Sequence, residues 1–132
     1  PASRSVMLVH NSFVTQQDIE LIMNHFTAPV YWVLCPRSNR YISGSITDAV
    51  HLLRRNNLNI CIGTDSLASN TSLSIIEELK CFKDIPLEEL LRWATINGAA
   101  ALGIEPKGLI NISGADLSTM RITEDTTVKR VL

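Results

Sequence analysis

The chain has 132 residues, 45% hydrophobic and 19% charged, with a formal net charge of −1. That is the size of one ordinary domain or of one piece of a larger one, with enough apolar material for a core and no compositional sign of disorder. Near-neutral charge argues against broad electrostatic binding to nucleic acid or an anionic membrane, and no stretch approaches the ~18 consecutive apolar residues of a membrane span.

The first apolar run is "SVMLVH", continuous over Val6, Met7, Leu8 and Val9. Continuity rather than alternation predicts a strand covered on both faces, ending at His10. Thr15, followed three residues later by Asp18, is a capping-box-like start. Ile19, Ile22, Met23 and Phe26 then recur at helical spacing, so a helix with one buried stripe is expected over 15–26. "PVYWVLCP" (29–36) is rich in β-branched and aromatic residues and predicts a second strand, followed by a polar loop "RSNRYISGS". "ITDAVHLLRRNN" (46–57) predicts a helix that buries Ile46, Val50 and Leu53 and exposes Arg54 and Arg55.

The third unit is the strand "NICIGTD" (59–65), a loop, and a helix "SLSIIEELKCF" (72–82). One further long helix is expected over about 86–102, with Pro86 in its first turn and Gly103 at its end. Beyond it the chain changes character, with short β-type pieces at 109–112, 119–122 and 128–132. Strands alternating with helices across short connections predict an α/β fold with parallel strands. The cysteines Cys35, Cys61 and Cys81 have no CxxC spacing and read as reduced, buried thiols of a cytoplasmic protein. The leading residues carry no signal-peptide h-region, which suits the same compartment.

Binding and catalysis in parallel α/β folds occur beyond the carboxyl ends of the strands. The first strand end presents His10, the second Cys35 to Asn39, and the third Thr64, Asp65 and Ser66. Parallel neighbours lie ~4.8 Å apart, so with the three strands adjacent in order His10 and Asp65 could converge on one small ligand or ion. A histidine and a carboxylate there suit proton transfer and hard or borderline metals. Each alone also fits a structural role, the histidine as a satisfied polar residue and the aspartate as a turn former or helix cap. His25 at a helix end and His51 near a buried face read as structural or exposed, and Trp93 as core or interface. No GxGxxG, Walker A or GxSxG motif is present.

Four motifs together resemble a family. "GTDSLASN" (63–70) resembles the last-strand motif of the amidohydrolase superfamily. It is most similar to the branch holding guanine deaminases, S-adenosylhomocysteine-type deaminases and chlorohydrolases. "MLVHNSFVTQQDI" (7–19) looks like that branch's sixth barrel strand, "CPRSN" (35–39) like its seventh-strand element, and "LLRWATINGAAALG" (90–103) like the helix after the barrel. The resemblance covers nearly the whole chain. It implies a (β/α)8 TIM barrel with one divalent metal, zinc or iron, acting on a purine, nucleoside-like or other heterocyclic amine. Asp65 would bind the metal and handle the proton of the attacking water. His10 would polarise the substrate, and in relatives with two metals that histidine is itself a ligand. Asn39 and Asn70 would brace the loops, with the Asn70 amide available for helix capping, and Ser66 and Arg37 would be substrate contacts.

The chain departs from that pattern. It has no His-x-His, and Leu34 stands where the seventh-strand element often carries histidine. A closed barrel typically takes ~250 residues. The resemblance therefore implies the carboxyl-terminal part of such an enzyme, about strands six to eight. Residues 1–104 would be partial barrel and 105–132 a β tail joining a small β-domain. Its expected partners are a small-molecule substrate, the missing amino-terminal part and, as an open alternative, a second copy in a homodimer. Neither nucleic acid nor membrane is expected. Alone, the 132 residues should be inactive. Two other readings stay open: a stand-alone α/β binding module without catalysis, and a metal-less inactive relative.

Overall fold

In the computed structural model, residues 4–46, 49–104, 120–122 and 128–130 are described. Strand β1 (Val6–Val9), β2 (Val30–Leu34) and β3 (Asn59–Ile62) form one parallel sheet in the order β1-β2-β3. Leu8 pairs with Trp32 and Trp32 with Ile60; Val9 pairs with Val33 and Val33 with Cys61. Register partners in a parallel pair share a face. One face therefore carries Val6, Leu8, Val30, Trp32, Leu34, Ile60 and Ile62, which enter the hydrophobic core. The other carries Met7, Val9, Tyr31, Val33 and Cys61.

That second face corrects one expectation. β1 is not covered on both sides: Met7 and Val9 are 46% and 52% exposed. β1 is an outer strand of the described sheet, and its second face stands half-open to solvent.

Helix α1 (Gln16–His25) starts on the expected capping box: the Thr15 hydroxyl accepts from the Asp18 N–H, and the Asp18 carboxylate accepts from the Thr15 N–H at 2.8 Å. Only Ile19 of its stripe is buried, while Met23 and Phe26 are largely exposed. The next stretch is a second correction. Residues expected as a polar loop form helix α2 (Pro36–Ser43). Pro36 supplies a preset φ in the first turn, and Gly44 ends the helix in the left-handed region at φ 76°. No apolar stripe announces α2, because its buried residues after Pro36 are Ser38 and Asn39, whereas Tyr41 and Ile42 are exposed.

Helix α3 (Ala49–Arg55) buries Val50 and Leu53, as expected, together with Ala49, while Ile46, expected on the same buried face, precedes the helix and is half-buried. Arg54 is not simply solvated: it makes a two-pronged bond to Glu89 at 2.8 and 2.7 Å. His51 is exposed and faces Asp84 at 3.3 Å. Helix α4 (Ile75–Leu79) is capped by Ser74.

The expected long helix over 86–102 is divided into α5 (Leu87–Ala94) and α6 (Ile96–Ala101). The break falls at Thr95, at φ −124° and ψ −77°, whose hydroxyl bonds back to the Leu91 carbonyl at 2.7 Å. Such back-bonding by a β-branched residue bends or ends a helix. Trp93 is buried edge-to-face on Phe82. Strands β4 (Met120–Ile122) and β5 (Val128–Arg130) pair antiparallel, matching two of the β pieces expected in the tail. The third, at 109–112, lies outside the described residues.

Leu53 is fully buried against the sheet's helix side. Leu53→Ala should lower the unfolding free energy by about 2–5 kcal/mol, read from denaturant midpoints at constant m-value.

Candidate active site

All three strand ends arrive on one rim. At the end of β1 the backbone turns sharply, with His10 and Asn11 both left-handed at φ 72° and 55°. Few non-glycine residues accept that region, and histidine and asparagine are among those that do. The Asn11 amide holds the turn by donating to the Leu8 carbonyl at 2.7 Å, while the His10 N–H donates to Val33 O at 2.9 Å. Asp65, past the end of β3, is also left-handed at φ 56°. Strained backbone at converging strand ends is a mark of a site.

Asn39 of α2 orients the imidazole. Its Nδ2 donates to the His10 carbonyl at 3.3 Å, which leaves its Oδ1 to accept from His10 Nδ1 at 2.7 Å. Nδ1 therefore carries a proton, and in the neutral ring Nε2 presents its lone pair. That Nε2 faces Asp65 Oδ2 across 3.9 Å, too far for a hydrogen bond. Two electron-rich atoms pointed at one gap favour a proton donor or a cation in or beside it. Both side chains are partly open to solvent, at 39% and 31%.

The same carboxylate oxygen is gripped from behind. Ser38 Oγ and Ser69 Oγ each lie 2.7 Å from Asp65 Oδ2 and 2.8 Å from one another. Three contacts share two hydroxyl protons, and bonds to the charged oxygen are the stronger ones. These hydroxyls, Ser69 first and then Ser38, hold the Asp65 carboxyl below its ordinary value of 3.8, with smaller help from the Ser66 backbone and the His10 charge; desolvation opposes them. Cys35 lies beneath the rim, its thiol pushed up to about 11 by burial and then by the charges of Asp65 and Glu78, so it remains protonated and unreactive. Cys61 is likewise raised to about 11 by burial. All three cysteines are free.

Of the residues expected at the site, His10, Asp65 and Asn39 come together. Ser66 stands beside them on the exposed loop, its hydroxyl accepting from the Ala68 N–H at 3.3 Å. Arg37 does not reach the pair. Its guanidinium bonds Thr71 Oγ1 and lines a neighbouring cavity of about 420 Å³ with Arg40, Tyr41, Asn70, Thr71 and Ser69, the last of which also bonds Asp65. Asn70 braces its loop, donating to Thr64 O at 2.9 Å and to Glu78 Oε1 at 2.6 Å, but the cap of α4 is Ser74.

Ser38, Ser69 and Glu78 were not apparent as site residues from sequence. Glu78 did leave a trace: Ile75, Glu78, Leu79 and Phe82 follow i, i+3, i+4, i+7, so a carboxylate occupies a core position of its helix.

Among the described residues no group of three or more His, Cys, Asp or Glu could hold a metal ion. The donor chemistry fits part of such a centre, since His10 Nε2 and Asp65 offer two ligands where protein sites usually supply three or four.

The amidohydrolase family model matches residues 2–132, and the chain belongs to that family. It is 32% identical to an adenosine deaminase of Helicobacter pylori over 96% of this chain and 32% of that protein. It is 30% identical to a 5-methylthioadenosine/S-adenosylhomocysteine deaminase of Saccharophagus degradans over 76% of this chain and 24% of that one. Among solved structures it resembles Helicobacter pylori aminofutalosine deaminase in complex with methylthio-coformycin, with a TM-score of 0.66 and 33% identity. It also resembles a zinc-bound adenosine deaminase from Xanthomonas campestris, with a TM-score of 0.65 and 31% identity. Each structural match covers 80% of this chain, and 27% and 26% of the respective neighbour. The chain thus spans about a third or less of the relatives it matches. No helix among the described residues is long and apolar enough to cross a membrane.

The pKa of Asp65 is lowered in the fold, so its ionised form favours folding above the unfolded value near 3.8, and that contribution is lost as pH falls through the lower folded value. In metal-free protein, Ser38→Ala/Ser69→Ala should move the Asp65 carboxyl titration, followed by carbon NMR, upward towards the ordinary aspartate value.

Proposed function

We propose that the chain is the carboxyl-terminal part of a (β/α)8-barrel aminohydrolase that removes the amino group of a purine nucleoside-like or related heterocyclic amine. The observation that carries this reading is the His10–Asp65 gap of 3.9 Å on the rim of three parallel strands. Relatives named as deaminases of adenosine, methylthioadenosine, S-adenosylhomocysteine and aminofutalosine support the reaction class.

Deamination of this kind adds water to the amino-bearing ring carbon and releases ammonia, so one proton must travel from the water to the leaving nitrogen. Asp65 stands where it can carry that proton. Its lowered pKa makes it a weak base, far too weak to take a proton from ordinary water. A divalent metal, zinc or iron, supplies the missing acidification of water when held by Asp65, with His10 beside it as a further ligand or as the group that polarises the substrate. The Nδ1–H bond to Asn39 keeps Nε2 turned towards the reacting centre, as an outer partner does for a ligating or catalytic histidine.

The remaining ligands and most of the substrate pocket belong to the rest of the enzyme, so the 132 residues alone are inactive on this reading. The open face of Met7 and Val9 suits the inside of a sheet that closes on itself, and the outer strands β1 and β3 of the described sheet offer edges on which further strands can pair. Residues 1–104 are then the barrel part, and 105–132 lead into a small β-domain.

Assayed by ammonia release from adenosine, 5-methylthioadenosine and S-adenosylhomocysteine, the full-length protein loaded with zinc or iron should turn over at least one of them. Asp65→Asn should lower kcat by about 100-fold or more without a comparable fall in Tm. Undiminished turnover by that variant would remove Asp65 from the mechanism.

A further inference from the structure

Glu78 is fully buried, yet it touches no substrate-facing surface and meets no basic side chain among the described residues. A carboxylate in such a place is costly unless its oxygens are bonded. Both are. Oε2 accepts the Arg37 backbone N–H at 2.9 Å, and Oε1 accepts from Asn70 Nδ2 at 2.6 Å.

The polarity of this arrangement is fixed by backbone groups at every end. The Arg37 N–H can only donate. Asn70 cannot turn over, because its Nδ2 serves the Thr64 carbonyl at 2.9 Å and its Oδ1 takes the Ser72 N–H at 3.4 Å. Residue 78 must therefore present two acceptors. Glutamate does so; glutamine, of the same shape, has only one acceptor oxygen and would set an N–H against an N–H.

Each group held by Glu78 is a chain neighbour of the His10–Asp65 pair's own supports. Arg37 precedes Ser38, which bonds Asp65, and Asn39, which bonds His10. Asn70 follows Ser69, the second hydroxyl on Asp65, and Thr64 immediately precedes Asp65. We propose that Glu78 is a positioning residue: its buried carboxylate locks the start of α2 to the β3–α4 loop and so sets the aim of both His10 and Asp65. This rests on the deaminase reading only for its catalytic consequence; the structural lock stands apart from it.

The test uses the full-length protein with Glu78→Gln, and Glu77→Gln, whose half-exposed carboxylate bonds only the surface Lys80 among the described residues, as the neighbouring control. Expected for Glu78→Gln is faster amide hydrogen exchange confined to 37–39 and 64–72, with the β2 and β3 amides unchanged. In the active enzyme kcat per folded molecule should fall at least 10-fold while KM stays within about threefold. Glu77→Gln should match the wild type in both. If Glu78→Gln does not fold, Asn70→Ala, which cuts the other end of the lock, should give the same two signatures. A variant that loses Tm with exchange rising throughout, or that keeps wild-type kcat per folded molecule and wild-type exchange in both segments, would overturn the proposal. Absence of turnover in the wild type would count against the deaminase reading alone, and the exchange measurement would still decide the lock.

Discussion

The register of three parallel strands governs everything else in this chain. Leu8, Trp32 and Ile60 lie side by side, and so do Val9, Val33 and Cys61. With the strands so aligned, His10, Cys35 and Gly63 leave the sheet at nearly the same level. A slip of one residue would reverse the faces, sending Trp32 and Leu34 out of the core and separating the strand ends. Gly63 shows how close the fit is: a Cβ there would lie 3.2 Å from Val33 Cγ1 and 3.3 Å from Cys35 Sγ. The side chains that fill the sheet thereby also limit what can stand below the rim.

Above that sheet, polar contacts take over from apolar packing. Asp65 Oδ2 receives hydroxyls from α2 and from its own loop, and Asn39 holds the imidazole through its oxygen and the His10 carbonyl through its nitrogen. Hydrogen bonds to a charged group are stronger than neutral ones, so the two serines stabilise an aspartate left in a strained backbone conformation. The arrangement favours ionised Asp65 and a histidine with Nε2 exposed towards it. It leaves a gap that attracts positive charge, between a nitrogen and an oxygen of the kinds that bind metals. The chain belongs to the amidohydrolase family and spans a third or less of the relatives it matches.

The apolar runs and the Thr15–Asp18 box were sufficient to place three strands, the first helix and the third helix's buried face, because these depend on local spacing and side-chain chemistry. They also placed His10 and Asp65 at strand ends. They did not reveal α2, whose buried face is Ser38 and Asn39, polar residues that look like loop until their partners are known. Nor did they reveal the break at Thr95, where the hydroxyl bonds back to the Leu91 carbonyl just ahead of the poor helix formers Asn97 and Gly98.

By itself, then, the amino-acid sequence determined which segments are apolar enough to be strands, their alternation with helices, and the presence of an acid and a histidine at strand ends. Tertiary structure alone decided that Ser38 and Ser69 share one oxygen of Asp65, that Arg37 turns away to Thr71, and that Glu78 joins two loops from inside the core. The physical reason is the range of the forces involved. Hydrophobic burial is non-directional and is written in the spacing of residues along the chain. A hydrogen bond depends on which donor reaches which acceptor, and here those partners lie 27 to 41 residues apart for Ser38–Asp65, Ser38–Ser69 and Arg37–Glu78.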